Sequence, residues 1–540
     1  MRALVRARLG PGAAAVIVGA VFACFLPALG SQFVLWDDDM NFTENLSYRG
    51  LSTSHLAWMF TTLYGGHYQP LTWVTLGLDY TIWGMNPTGY HLTNLVLHAA
   101  NGLLVYRLIA GLVPGIGSGA ALAGALLFAI HPLRVESVAW ATERRDVLSG
   151  LFYLLTVLAY LRLVQAKRAG RAWRGWLAAS LACFVLSLLS KAWAITLPLV
   201  LLVLDVHPLR RLVRRSDAVP LLLEKLPYAG IALGGGVLAE LASNLVPAKR
   251  TLAQHGLVER AAQAAYGLVF YLWKTVVPAG LSPVYLLEQT LRPSAPRYVA
   301  SAAIVVGVTA AAVLLRRRAP WVAVAWACYA LILATVLGFV QTGPQIAADR
   351  YSYLACLPVA VLAAAGIDRL PGRRITAVVA VAALATLGVL TFRQTRVWHD
   401  SRTLWEHALR VDPDNYIAYT NRGTVRQAEG DRAGAFADYT EALKRNPDYY
   451  IAYYSRATER LARGDDAGAI ADYSETLRIN PWYIQAYNNR GLARQRTGDL
   501  AGAIADYGEA LRLSAPDWPP RRMIEGNLLL ARQALARRGQ

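Results

Sequence analysis

The chain has 540 residues, enough for more than one domain, and 55% of them are hydrophobic. A mean hydropathy of +0.32 is too high for an ordinary soluble protein and predicts several membrane spans. The formal charge of +19 falls in short basic clusters between apolar runs, at 162–175, 207–215 and 316–318. That is the positive-inside pattern of a membrane protein, not the continuous basic face of a nucleic-acid binder.

Residues 1–11 carry Arg2, Arg6 and Arg8 and lead into an apolar run ending at Leu29. This reads as an uncleaved first span, with a signal peptide as the alternative, and either places the following residues outside. FVLWDDDMNFTEN (33–45) then sets three consecutive carboxylates, Asp37, Asp38 and Asp39, just beyond the apolar run. Each would cost about 2.5–3.5 kcal/mol near a bilayer centre, so the cluster belongs at the water interface. Residues 31–90 form a polar-aromatic first outer loop, in which HYQPLTWVTLGLDYTIWG (67–84) has the spacing of a helix lying in the interface plane.

Eleven further apolar runs follow between residues 91 and 392. Placing the basic loops inside requires the run at 261–279, which contains Lys274 and ends at Pro278, to stay in the interface. The expected membrane domain, 1–398, is therefore a helical bundle of about eleven crossings, with the C-terminus outside. The cysteines Cys24, Cys183, Cys328 and Cys356 all lie in apolar runs, with neither a disulfide framework nor a CxxC metal motif.

From residue 399 the chain is polar and periodic. Gly430-Asp431, Gly464-Asp465 and Gly498-Asp499 recur every 34 residues, as do Tyr439, Tyr473 and Tyr507, and Pro413, Pro447 and Pro481. The period and positions are those of tetratricopeptide repeats, at about 416–449, 450–483 and 484–517, within a domain of 399–540. Such an α-solenoid presents a concave surface, most often to a peptide or protein. Tyr416, Tyr419, Tyr450, Tyr453, Tyr483 and Tyr487 are concentrated there, some of them as packing residues.

Four polar constellations fall on the outer side: Asp37 to Asp39, the segment 131–146, Lys191, and DRYSYL (349–354). Polar groups are costly at a membrane, so their convergence on one side points to a site. His91, Asn94 and His98 share a helix face and read as inter-helix hydrogen-bonding groups, since their spacing is poor for zinc. The set suits transfer of a group from a phosphate-bearing lipid. An aspartate takes the proton of an acceptor hydroxyl, and Arg144, Arg145, Lys191 or Arg350 stabilises the departing phosphate. Paired aspartates are also a donor set for Mg²⁺ or Mn²⁺, an alternative that the spacing leaves open.

These stretches, in this order, resemble the transmembrane and tetratricopeptide-repeat O-mannosyltransferases and their bacterial relatives, which are multi-span glycosyltransferases using polyprenyl-phosphate sugars. The resemblance is carried by WDDD (36–39), YQPLTWVTLGLDY (68–80), YHLTNLVLHAAN (90–101), HPLRVESVAWATERRDVLSGLF (131–152), SKAWAITLPLVLLVLD (190–205), KTVVPAGLSPVY (274–285), DRYSYL (349–354) and the repeats. It implies transfer of a monosaccharide, mannose first, to a protein hydroxyl, by direct displacement with inversion. Asp38 or Asp37 would be the base, with Asp38 the first candidate. It places His131, Glu136, Arg144 and Asp146 in the same pocket, and Arg350 and Tyr351 at the lipid phosphate. Where the family often has an acidic residue after Ser-Lys, this chain has Ala192. The expected setting is a bacterial inner membrane, with the site and repeats on the periplasmic side. A membrane-anchored repeat scaffold and a lipid-linked sugar transporter are the competing readings.

Overall fold

The computed structural model describes residues 9–245, 251, 254–339, 343–515, 518 and 520–538. The chain divides into two compact units, Met1–Asp400 and Ser401–Gln540. Both are helical, and the described residues contain one two-stranded ribbon.

In the first unit, α1 (Pro11–Phe25) is followed by a long loop, which holds α2 (Thr53–Thr61) and α3 (Pro70–Trp83). Next come α4 (Pro87–Leu112), α5 (Ser118–Ala129), α6 (Val135–Ala139), α7 (Arg144–Arg168), α8 (Arg174–Ser190), α9 (Leu197–Val206) and α10 (Ala218–Ser243). Beyond α11 (Leu257–Val276), strand β1 (Tyr285–Leu286) precedes α12 (Pro296–Leu315) and α13 (Pro320–Leu333). Strand β2 (Gln345–Ala347), α14 (Ser352–Ala355), α15 (Leu357–Arg369) and α16 (Arg373–Thr395) complete the unit. Proline opens several of these helices, including α1, α3, α4, α12 and α13, because its fixed φ suits the first turn and its missing N–H would be unpaired there.

Six helical stretches have the length and apolarity of a membrane span: Pro11–Gly30, Pro87–Leu112, Ala141–Arg168, Arg215–Ser243, Pro296–Leu315 and Arg373–Trp398. Two bent pairs, Ser118–Ala129 with Pro132–Ala139 and Asp349–Ala355 with Leu357–Arg369, raise this to eight if each is one span. Arg174–Ser190, Ala192–Val206 and Pro320–Val336 are apolar but shorter. The eleven crossings expected from sequence require every bent pair and every short helix to cross.

Small polar residues let the spans approach closely. Ser187 Oγ on α8 donates to the Ser149 carbonyl on α7 at 3.0 Å, and Ser180 Oγ to the Thr156 carbonyl at 3.0 Å. Such groups bond across helices where lipid offers no partner. The polar loops collect at one end of the unit. There Gln32 N–H, just after α1, donates to the His399 carbonyl beyond α16 at 2.8 Å. α11 is bonded near both of its termini: Arg260 donates to the Phe339 carbonyl, and the Thr275 carbonyl accepts from His131. The segment at 67–84, read as an interface helix, folds as α3 with one face buried, Asp79 included.

In the second unit α17 (Ser401–Val411) precedes the pairs α18 (Tyr416–Ala428) and α19 (Arg432–Arg445), α20 (Tyr450–Ala462) and α21 (Asp466–Ile479), and α22 (Ile484–Thr497) and α23 (Leu500–Leu513). A final α24 (Arg521–Arg538) closes the solenoid. The repeating Gly-Asp has a geometric cause. Gly430, Gly464 and Gly498 sit at φ of 87°, 80° and 88°, where only glycine is unstrained. Asp431, Asp465 and Asp499 then cap the next helix by accepting the N–H of Gly434, Gly468 and Gly502 at 2.8–2.9 Å. Tyr439, Tyr473 and Tyr507 fill the core between the helices of each pair. Tyr416, Tyr450 and Tyr483 pack edge-to-face, on Tyr449, on each other and on Tyr454, so part of the tyrosine signal is packing.

Candidate active site

The site is assembled at the first turn of α7. Helical side chains turn by about 100° per residue, so neighbouring charges leave the helix on different faces. Arg144 points toward α3 and α4. It pairs with Asp79 at 2.5 Å, donates to the Tyr90 carbonyl at 2.9 Å and bonds Asn94 Oδ1. Asn94 in turn donates to the Val138 and Trp140 carbonyls at 3.3 Å each. Arg144 is thus a buried structural cation. Its Nη1 is buried with no hydrogen-bond partner among the described residues, while the adjacent Arg145 turns to Glu143.

Arg145 donates to Glu143 Oε1 at 2.7 Å, and Lys191 Nζ lies 2.9 Å from Glu143 Oε2. Lys191 also pairs with Asp146, whose other oxygen accepts from Ser137 Oγ at 2.9 Å. Arg350 pairs with Glu136 through its guanidinium and donates its backbone N–H to Glu136 Oε2 at 2.7 Å, while its Nε stands 3.4 Å from Glu143. The Arg350 guanidinium also covers the rings of Trp140 and Tyr351 at 5.5 and 5.0 Å. Glu136, Asp146, Lys191, Arg350 and Tyr351 are therefore brought together, with Glu143 and Arg145 as their links. The strand pair holds this segment in place: β1 runs antiparallel to β2, just before Arg350.

His131 stands apart. Its Nε2–H donates to the Thr275 carbonyl at 3.0 Å, which leaves Nδ1 to accept the Leu133 N–H at 3.2 Å. Both ring nitrogens are thereby used in joining α11 to the bend before α6. His98 bonds the Tyr353 hydroxyl and the Ala129 carbonyl, each at 2.8 Å, consistent with its reading as an inter-helix group.

The aspartates of the loop after α1 divide sharply. Asp38 is fully buried. Its Oδ2 accepts the Val34 N–H at 2.9 Å, and its Oδ1 accepts the Thr142 N–H at 3.0 Å and the Thr142 hydroxyl at 2.6 Å. Burial pushes its carboxyl up to about 7, against the pull of those donors. Asp38 is a clamp between the loop and the 141–143 segment, with neither oxygen turned to solvent. Asp37 is exposed, and its carboxylate takes no hydrogen bond from the described residues. Its backbone stands at φ of 64°, a left-handed conformation that costs a non-glycine residue about 1–2 kcal/mol. The surrounding protein raises its pKa, offset in part by the charges of Arg145 and Arg350. An exposed carboxylate crowded in this way lies in a recess.

His67, from the loop before α3, faces the same charges. The crowded recess, then Arg145 and Lys191, pull its imidazole down to about 3, so it stays neutral. Neither His67 nor Asp79 was a candidate from sequence. Each lies far along the chain from its partners, and no spacing rule marks either.

Of the carboxylates that could hold a divalent cation, most are already engaged. Glu136, Glu143 and Asp146 are each committed to a cation of the protein, and both oxygens of Asp38 are taken. Among the described residues no group of three or more His, Cys, Asp or Glu is placed to hold a metal.

Comparison with known proteins bears on both units. Residues 484–517 match the tetratricopeptide repeat family model, the bounds expected for the third repeat. Protein O-mannosyl-transferase TMTC2 of Homo sapiens is 38% identical over 151 residues, covering 27% of this chain and 18% of that protein. Protein O-mannosyl-transferase Tmtc2 of Drosophila melanogaster is 35% identical over 196 residues, covering 34% of this chain and 20% of that protein. The matched stretch spans about a fifth of the length of these curated relatives. A solved structure, the first TPR of Spaghetti (RPAP3) bound to HSP90 peptide SRMEEVD, matches 23% of this chain and 96% of that chain at 25% identity, with a TM-score of 0.22. The chain is a helical membrane protein with tetratricopeptide repeats, similar over part of its length to protein O-mannosyl-transferases.

Proposed function

We propose that this protein is a membrane glycosyltransferase. It moves a monosaccharide, mannose by its relatives' names, from a polyprenyl phosphate to a hydroxyl of a protein acceptor held by the repeats. The observation that carries this reading is the exposed, unbonded carboxylate of Asp37 standing among Arg145, Arg350 and Glu143. The acceptor oxygen attacks the anomeric carbon while its proton passes to Asp37. The bond from that carbon to the phosphate oxygen breaks, its electron pair leaving on the phosphate, and the configuration inverts without a covalent intermediate. In this reading Lys191, whose side chain is 18% exposed, and Arg350 are the cations that meet the growing charge. Asp38, the first candidate from sequence, supports the loop that presents Asp37. The setting we infer is a bacterial inner membrane with the site on the periplasmic side.

The test is transfer from labelled polyprenyl-phosphate mannose in membranes bearing wild type, Asp37→Asn or Asp38→Asn. Asp37→Asn should lose transfer by about 10²–10⁴-fold, the usual share of general base catalysis, while the protein accumulates normally. Full transfer by Asp37→Asn would remove the base assignment, and absence of transfer by wild type to any hydroxyl acceptor would remove the activity.

A further inference from the structure

At the other end of the membrane unit lies a cavity of about 610 Å³, between α4, α7, α9, α13 and α15. Its walls are apolar, with Val157, Leu204, Val324 and Leu362 among them, and no Asp or Glu lines it. The rim is basic: Arg210 and Arg369 both line the cavity, and both are exposed. Arg369 donates to the Ala365 carbonyl at 3.2 Å, and among the described residues no carboxylate pairs with either arginine. The contrast with Arg211 is informative. Arg211 is spent in a buried network with Asp205 and Glu224, at 3.1 and 2.8 Å, whereas Arg210, held at φ of 49°, lines the cavity. Trp321 stands on the same wall, the residue type that anchors at a headgroup boundary.

The dimensions suit one leaflet. The cavity follows α15 from Leu357 to Arg369, about 18 Å at 1.5 Å per residue, slightly more than half of a hydrocarbon core of about 30 Å. A polyprenyl-phosphate donor does not account for the basic rim. Its phosphate would sit by Arg350 and Lys191 near the start of α7, and α7 is about 37 Å long. An occupant of the cavity must bring its own anion to the far end.

We propose that this cavity holds an acyl chain of an anionic glycerophospholipid from the facing leaflet, with its phosphate paired to Arg210 and Arg369. The lipid would fill the space between α13 and α15, which the helices leave open, and so fix their spacing.

Native mass spectrometry of the full chain tests this, after delipidation in mild detergent and re-addition of phosphatidylglycerol, phosphatidylcholine or polyprenyl phosphate. Wild type should retain phosphatidylglycerol in preference to phosphatidylcholine. Arg210→Gln and Arg369→Gln should each lower that retention roughly tenfold, the size of one lost charge-assisted hydrogen bond. Ala325→Trp, which obstructs the chain and spares the arginines, should abolish it. The two arginines are exposed, so their variants decide the matter even if Ala325→Trp does not fold. Equal retention of phosphatidylcholine, undiminished retention by the double arginine variant, or equal arginine-dependent retention of polyprenyl phosphate would overturn the proposal. Asp37→Asn should retain the lipid as wild type does, which separates this result from any result on transfer.

Discussion

Asp37 and Asp38 are adjacent and chemically identical, and the fold gives them opposite tasks. Asp38 receives three donors in a buried clamp, so Asp38→Asn would turn an amide N–H₂ toward a donor that now points at an oxygen. We expect a loss of about 1–3 kcal/mol, read as a lowered melting temperature. The carboxyl of Asp38 is pushed up to about 7, so the folded chain holds its proton more tightly than the unfolded chain does. Its contribution to stability is therefore greatest below about pH 4 and falls as pH rises through about 7. Between about pH 4 and 7 the melting temperature of wild type should therefore fall with rising pH more steeply than that of Asp38→Asn, in which this group no longer titrates. Asp37 must be ionised to act as a base, and its pKa lies above that of an ordinary aspartate. Transfer should accordingly fall on acidification at a higher pH than a free carboxylate would give, which a pH–rate profile measures.

Among the elements, the first turn of α7 has the largest consequences. Three consecutive charges there are divided between two environments, Arg144 toward Asp79 and both Arg145 and Asp146 toward the cluster of Glu143 and Lys191, and Arg144 is the one that supports the others. Arg144→Met would leave Asp79 buried and unpaired, a change of about 3–5 kcal/mol, enough to abolish accumulation of the folded protein in membranes. The paired change Arg144→Met with Asp79→Leu should recover most of that loss, because it is the orphaned charge that costs. In the repeats the same Gly-Asp pair starts each second helix. Asp465→Ala should cost about 1 kcal/mol of solenoid stability, measurable by denaturation of the isolated repeats provided they fold alone.

For the whole molecule, the question is how the two units share the work. Removing 400–540 should reduce transfer to protein acceptors more than transfer to a short soluble peptide, since only the former can use a concave repeat surface. Equal loss for both acceptors in the truncated protein would assign the repeats to folding instead.

By itself the sequence determined the class of the protein: apolar runs and basic loops specify a helical membrane unit, and a 34-residue period specifies the solenoid. Both are periodic signals, repeated often enough along the chain to survive local noise. It also marked the polar segments between the apolar runs, because charges near a bilayer are costly wherever they fall. The pairing of those charges was decided only in three dimensions. Glu143, Arg145 and Lys191 meet across segments far apart in the chain, and Arg144 turns away from them through a helical rotation that the letters do not display. The same holds for WDDD at residues 36–39. Composition makes its three aspartates equivalent, and only the donors of Val34 and Thr142 separate the clamp from the carboxylate left facing the recess.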